Sequence, residues 1–255
     1  MILAVNVGNT QIVVGCMEGL DIRYLARLAS DTSRTEYEYA VMLSQILQFG
    51  GIDTSSFEGA IISSVVPPLT AVLRSAVKLL TGAKALVVGA GIRTGLNIKI
   101  DNPAQLGSDL AVAAVAALER YTPPIAVVDM GTATTMTVID SEMRLRGGAI
   151  LPGVALSLSA LVSGTSQLPK VPIEAPRSVI GTNTVDCMKS GAVYGAAAII
   201  DGMADRFEEE LGAPLTVVVT GGVAPTVVPY CRRKVVLDEE LLLRGLAILY
   251  AKNRK

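Results

Sequence analysis

Histidine and tryptophan are absent from this 255-residue chain, and aromatic residues make up only 4% of it. Without histidine there is no imidazole base or metal ligand, so serine–histidine triads and imidazole-bound zinc are excluded. Proton transfer falls to carboxylates, lysine, tyrosine or thiols. A charge excess is also missing: 22 Lys+Arg face 23 Asp+Glu, for a formal net charge of −1. With no run of like charge either, neither nucleic acid nor a membrane surface is expected as a partner. No apolar run approaches the roughly eighteen residues of a membrane span, and Asn6 and Gly8 interrupt the apolar start, which lacks the basic flank of a signal peptide. Cys16, Cys187 and Cys231 are odd in number, widely spaced and without a CxxC pair, which favours reduced thiols in a cytoplasmic protein over a disulfide framework.

What is present is apolar: 51% hydrophobic residues with 24 Gly and 12 Pro, enough for one large core or two smaller ones. Short β-branched runs alternate with helical patterns. Strands are predicted at 2–5, 12–17, 59–63, 85–88, 125–129, 135–139, 217–219 and 235–237. Helices are predicted over 35–48, 68–80, 106–120, 154–162, 185–210 and 239–252, with Thr35 and Glu38 forming a capping box and Thr184 and Asp238 as N-caps. Cys16 and Cys187 read as small buried hydrophobes, Arg144 and Arg146 as turn-flanking surface residues, and 252–255 as a solvated tail. The class is mixed α/β with glycine-marked strand ends.

An internal repeat organises the chain. Val5-Asn6-Val7-Gly8-Asn9-Thr10 and Val128-Asp129-Met130-Gly131-Thr132-Ala133 share one frame, an Asx between apolar residues followed by Gly and small polar residues, about half the chain apart. Two copies of a hairpin-led α/β unit follow, with lobes expected at 1–120 and 121–255. A strand that ends in Asx and runs into a glycine turn sets a carboxylate or amide beside exposed N–H groups, because glycine lets backbone approach an anion. Two such turns facing each other would hold a nucleotide's phosphates, and Val219-Thr220-Gly221-Gly222 would meet the nucleoside end. No GxxxxGK[ST] or GxGxxG is present, so this is neither a P-loop nor a dinucleotide fingerprint.

These segments resemble the type III pantothenate kinase family. The likeness runs over nearly the whole chain through Asn6-Val7-Gly8-Asn9-Thr10, Asn102-Pro103 with Gly107-Ser108-Asp109, Asp129-Met130-Gly131-Thr132-Ala133-Thr134-Thr135, Gly147-Gly148 to Pro152-Gly153, Leu168-Pro169, Gly181 to Thr184 and Thr220-Gly221-Gly222. The resemblance implies a duplicated ribonuclease-H-like fold of the actin, sugar kinase and acetate kinase type, with two similar lobes and mixed sheets. It implies a homodimer that uses ATP, Mg2+ and a monovalent cation, potassium or ammonium, to convert pantothenate to 4'-phosphopantothenate in coenzyme A synthesis.

By the same resemblance, Asp109 is the catalytic carboxylate that accepts the proton of pantothenate's hydroxyl. Asn6, Val7, Gly8, Asn9, Thr10, Gln11 and Thr132 belong to the phosphate turns, and Asp129 holds the monovalent cation. Gly107, Ser108, Leu110 and Thr184 border the substrate. Four positions depart from the family pattern: Asn6 stands where Asp is usual, Leu110 replaces an arginine, Ile100 a tyrosine and Gln167 a lysine. A second reading is a catalytically weakened or inactive paralogue that binds nucleotide or a partner protein in a regulatory role. A sugar or acid kinase on the same fold is a third.

Overall fold

The computed structural model describes residues 1–254; Lys255, the end of the expected tail and of the expected second lobe, lies outside them. The chain forms two compact units. Among the described residues, one comprises 1–96, 102–116 and 240–254, and the other 97–101 and 117–239.

The first unit is built on strands β1 (Ile2–Val7), β2 (Gln11–Glu18), β3 (Asp21–Ala29), β4 (Gly59–Ser64) and β5 (Ala85–Val87) in the order β3-β2-β1-β4-β5. β1 runs antiparallel to β2 and parallel to β4. Helices α1 (Glu36–Phe49) and α2 (Pro67–Thr81) supply Tyr39, Leu43, Leu47, Leu69 and Leu73 to one core with Leu3, Val5 and Ile62. The expected capping box starts α1: Thr35 Oγ1 accepts from the Glu38 amide and Glu38 Oε2 accepts from the Thr35 amide at 2.8 Å. Such a cap contributes about 1 kcal/mol.

The second unit repeats the topology. β7 (Ile125–Met130), β8 (Ala133–Ile139), β9 (Arg144–Pro152), β10 (Thr216–Thr220) and β11 (Val236–Leu237) lie in the order β9-β8-β7-β10-β11, and the short β6 (Asn97–Ile98) pairs alongside β9. β7 is antiparallel to β8 and parallel to β10, as β1 is to its neighbours. Helices α4 (Val154–Ser163) and α5 (Thr184–Leu211) and the short α6 (Ala224–Val227) bury Val154, Ala197, Ile200, Ala224 and Val227 against Val128, Met130, Val217 and Val219. Two sheets with one strand order and one pattern of directions make this the duplicated ribonuclease-H-like fold.

Helix α3 (Ser108–Arg120) and the last helix, α7 (Leu241–Asn253), complete the elements. α7 packs on β1 and β4, joining Val112 and Val115 of α3 in a second core of the first unit with Ile2, Ala4 and Ile61. Gly245 permits this approach, since a Cβ there would meet the Val112 carbonyl.

Several local expectations need correction. β3 and β9 were not among the expected strands. Asn183, not Thr184, caps α5, its side-chain oxygen accepting from the Asp186 amide at 2.9 Å. Asp238 is not the cap of α7: it is buried and holds Tyr121 Oη at 2.9 Å and Arg120 Nη1 at 3.1 Å, and α7 starts from Glu240 without a side-chain cap. A carboxylate flanked by a guanidinium and a phenol serves as a tertiary anchor, and sequence position alone could not separate that from a cap. Arg144 and Arg146 lie within β9 and bond Asp140 at 2.8 and 3.3 Å. Cys16 is buried as expected, whereas Cys187 is exposed.

Candidate active site

The first glycine turn joins β1 to β2. Val7 and Ile12 form the last pair of the hairpin, and Gly8, Asn9 and Thr10 make the turn into Gln11, the first residue of β2, closed by the Gly8 amide donating to the Gln11 carbonyl at 2.9 Å. Ser30 buttresses it, its hydroxyl donating to the Gly8 carbonyl at 2.6 Å and its amide to the Thr10 carbonyl at 3.0 Å. Asn9, Thr10 and Gln11 stay exposed while Asn6 sits half-buried at the strand end.

The same unit carries Asp109 in the first turn of α3. Ser63 Oγ donates to Ser108 Oγ at 3.0 Å, and Ser108 Oγ donates to the Ser64 carbonyl at 3.1 Å, which fastens the helix start to the end of β4. The Leu110 amide donates to Asp109 Oδ1 at 2.9 Å. Gly107 makes room for this carboxylate: a Cβ on it would stand 2.5 Å from Asp109 Oδ1. Burial pushes the Asp109 carboxyl above its ordinary value, against the lowering effect of the backbone amides of Leu110 and Asp109 itself. A partly desolvated carboxylate is a stronger base than a solvated one and better suited to accept a proton.

In the second unit, Asp129 is the last residue but one of β7, and Gly131 and Thr132 of the turn that follows are exposed. The Gly131 amide donates to the Ala133 carbonyl at 3.1 Å and the Gly153 amide to the Thr132 carbonyl at 3.1 Å. Gly153 is obligatory there because a Cβ would run into the Gly131 and Thr132 carbonyls, so the Pro152-Gly153 pair is a brace for this turn. Gly221 closes the other side at φ +100°, where a Cβ would lie 2.6 Å from the Met130 amide nitrogen and 2.7 Å from Asp129 Oδ1. Asp129, Gly131 and Gly221 therefore converge within one unit, although Gly221 follows Asp129 by a large sequence separation.

Among the described residues no group of three or more His, Cys, Asp or Glu gathers to hold a metal. The glycines Gly221 and Gly131 leave the Asp129 carboxylate uncrowded on their sides, and it is the anionic oxygen this turn could offer a hard cation.

Thr184 opens α5 and is exposed, on the lining of an apolar cavity of about 380 Å³ between α4, α5 and the strand ends Met130, Thr134 and Leu151. Cys187 shares that lining, its Sγ 3.3 Å from the Gly181 carbonyl. Of the departing positions, Leu110 and Ile100 are half-buried and Gln167 is exposed. The Ser30 brace and Ser63 were not among the residues singled out from sequence, whereas Pro152-Gly153 was, as part of the family pattern.

A family model described as type III pantothenate kinase matches residues 2–206. The chain belongs to the type III pantothenate kinase family. A type III pantothenate kinase of Brevibacillus brevis is 39% identical over 254 residues, and one of Anaeromyxobacter sp. is 41% identical over 254, each alignment covering 100% of both chains. Membership therefore extends to the full length, including the Thr220-Gly221-Gly222 turn and α7 beyond the region the family model matches. Among solved structures, component A of the (R)-2-hydroxyglutaryl-CoA dehydratase of Acidaminococcus fermentans superposes with a TM-score of 0.56 at 16% identity, covering 98% of this chain and 97% of that one. A putative N-acetylglucosamine kinase of Porphyromonas gingivalis gives 0.52 at 15% identity, covering 99% of each. At such identities these likenesses show the fold alone.

Proposed function

We propose that the chain transfers the γ-phosphoryl group of ATP to the primary hydroxyl of pantothenate, giving 4'-phosphopantothenate and ADP, the first step of coenzyme A synthesis. The observation that carries this reading is the end-to-end identity of about 40% with type III pantothenate kinases.

Asp109 is the base in this reading. Its carboxylate accepts the hydroxyl proton as the alcohol oxygen bonds to the γ-phosphorus, and the bridging oxygen leaves with ADP. Little proton transfer is needed early in a loose phosphoryl-transfer transition state, so alignment carries most of the catalysis and a single carboxylate suffices without histidine. Support comes from the desolvation of Asp109 and from the clearance that Gly107 leaves for it.

Asn6, Val7, Gly8, Asn9, Thr10 and Gln11 form the nucleotide-phosphate turn of the first unit, with Asn9, Thr10 and Gln11 its exposed members; Thr132, exposed in the turn of the second unit, binds phosphate as well, and Asp129 takes potassium or ammonium. Mg2+ bound with ATP supplies charge neutralisation on the β- and γ-phosphates. Asn6 offers that ion a neutral amide instead of a carboxylate, so its hold is weaker on the protein side. Gly107, Ser108, Leu110 and Thr184 border pantothenate.

Homodimer assembly belongs to the same reading, and the exposed apolar side chains Ile150, Leu156, Leu161, Ile180 and Ile199 of the second unit are surface it would draw on. No helix among the described residues is long and apolar enough to cross a membrane. A cytoplasmic location fits the three cysteines, all free thiols.

The test is incubation of purified protein with Mg-ATP, potassium and pantothenate, with 4'-phosphopantothenate read by mass spectrometry. Product above background is expected. Folded, nucleotide-binding protein that makes none would overturn this reading in favour of a regulatory one.

A further inference from the structure

β4 reads Gly-Ala-Ile-Ile-Ser-Ser, and its fifth residue, Ser63, is completely buried. A hydroxyl in such a place is costly unless it is hydrogen-bonded, whereas an alanine would fill the strand without that demand. Ser63 spends its hydroxyl on the helix that carries Asp109: it donates to Ser108 Oγ, which in turn donates to the Ser64 carbonyl. On its other side Ser63 is the register partner of Asn6 in β1, the residue that leads into the first phosphate turn. Ser63 thus stands between the strand of that turn and the helix of the carboxylate. The second unit keeps the arrangement, with the buried Thr220 of β10 in register with Asp129 of β7. There the hydroxyl-bearing strand runs on into Gly221.

We propose that Ser63 is a positioning residue for phosphoryl transfer, its buried hydroxyl acting through Ser108 to hold the first turn of α3 so that the Asp109 carboxylate stays aligned with the acceptor alcohol. The inference rests on the reading of Asp109 as the base. Asp109 has its own bond to the Leu110 amide, but that bond lies within the helix turn and fixes the carboxylate only relative to α3. The Ser63–Ser108–Ser64 relay fixes α3 relative to the sheet. Misplacement of a reacting group by about 1 Å can cost roughly a hundredfold in rate, and one hydroxyl bond out of several anchors costs less.

Steady-state kinetics on wild type, Ser63→Ala, Ser63→Thr, Ser108→Ala and the Ser63→Ala/Ser108→Ala double variant test this. Ser63→Ala is expected to lower kcat about five- to tenfold with KM for ATP and pantothenate little changed. Ser63→Thr, which keeps the hydroxyl, should restore most of the loss. The double variant should be no slower than the slower single one, because both changes break one relay. A wild-type kcat in Ser63→Ala, a loss confined to KM, or multiplicative losses in the double variant would each overturn the proposal. Amide hydrogen exchange gives a readout independent of turnover: Ser63→Ala should speed exchange at Leu110 and Ala111 while α1 is unchanged, and equal protection would also overturn it. Wild-type protein that folds yet makes no 4'-phosphopantothenate would sink the proposed function, and the exchange comparison would still judge the relay.

Discussion

Replacing Asp109 with asparagine isolates the proton acceptor from everything else the residue does. The amide oxygen can take the place of Oδ1 as acceptor for the Leu110 amide, and the side chain keeps the space Gly107 leaves for it, so the start of α3 is preserved. What disappears is basicity. General-base assistance is worth about a hundred- to ten-thousandfold, which corresponds to ~3–5 kcal/mol of barrier, and the loss should appear in kcat with KM for pantothenate almost unmoved. Stability should move the other way or stay flat. Burial raises the Asp109 carboxyl, so the folded state binds its proton more tightly than the unfolded chain, and ionisation weakens folding as pH rises through the raised value. The amide of the Asp109→Asn variant never ionises, so its Tm near neutral pH should be equal or higher. The wild-type rate should climb with pH until the raised carboxyl has ionised, and the variant should lack that limb. The assay is ADP release by a coupled enzyme, checked against phosphopantothenate by mass spectrometry over a range of pH. A folded Asp109→Asn protein with kcat within about threefold of wild type, far short of general-base magnitudes, would refute the assignment.

Gly221→Ala should impair both folding and nucleotide binding, because φ +100° strains any L side chain and the new Cβ would press on Met130 and Asp129; a loss of more than about 1 kcal/mol is expected by thermal or urea unfolding. Leu110→Arg supplies a guanidinium beside the carboxylate helix, and KM for pantothenate should fall roughly tenfold or more if it meets the substrate carboxylate. Asn6→Asp should lower the Mg2+ concentration needed for half-maximal rate, read from a metal titration of kcat. Asp140 is pushed up by burial but held below the ordinary carboxylate range by the backbone and guanidinium of Arg144 and by Arg146. Its stabilising effect is therefore present above the unfolded value and lost as pH falls through the lowered one, so Asp140→Asn should cost about 1–3 kcal/mol at neutral pH and converge with wild type in acid.

The amino-acid sequence determined the parts whose cause is local. The Asx-glycine turns at Asn6–Gln11 and Asp129–Thr132 were legible because each follows an apolar β-branched run and breaks it with glycine and small polar residues within a few positions. The Thr35–Glu38 capping box was legible because both partners sit within one helical turn. The duplication was legible because the repeated frame recurs with its flanking elements in order. Edge strand β3 was overlooked because its mixture of Arg23, Arg27 and half-buried apolar residues gives a weaker signal than a buried strand. Tertiary structure alone decided which distant residues serve each turn. Ser30 beneath Gly8, Gly153 against Thr132, Gly221 on Asp129 and Ser63 beneath Ser108 are each joined by strand pairing or packing across long stretches of chain. The destination of Asp238 was decided in the same way, since a carboxylate one residue before a helical pattern can cap it or turn inward, and only the position of Arg120 and Tyr121 in space chooses. Local stereochemistry is written residue by residue, whereas the partner of a buried polar group depends on which surfaces the folded chain brings within about 3 Å of one another.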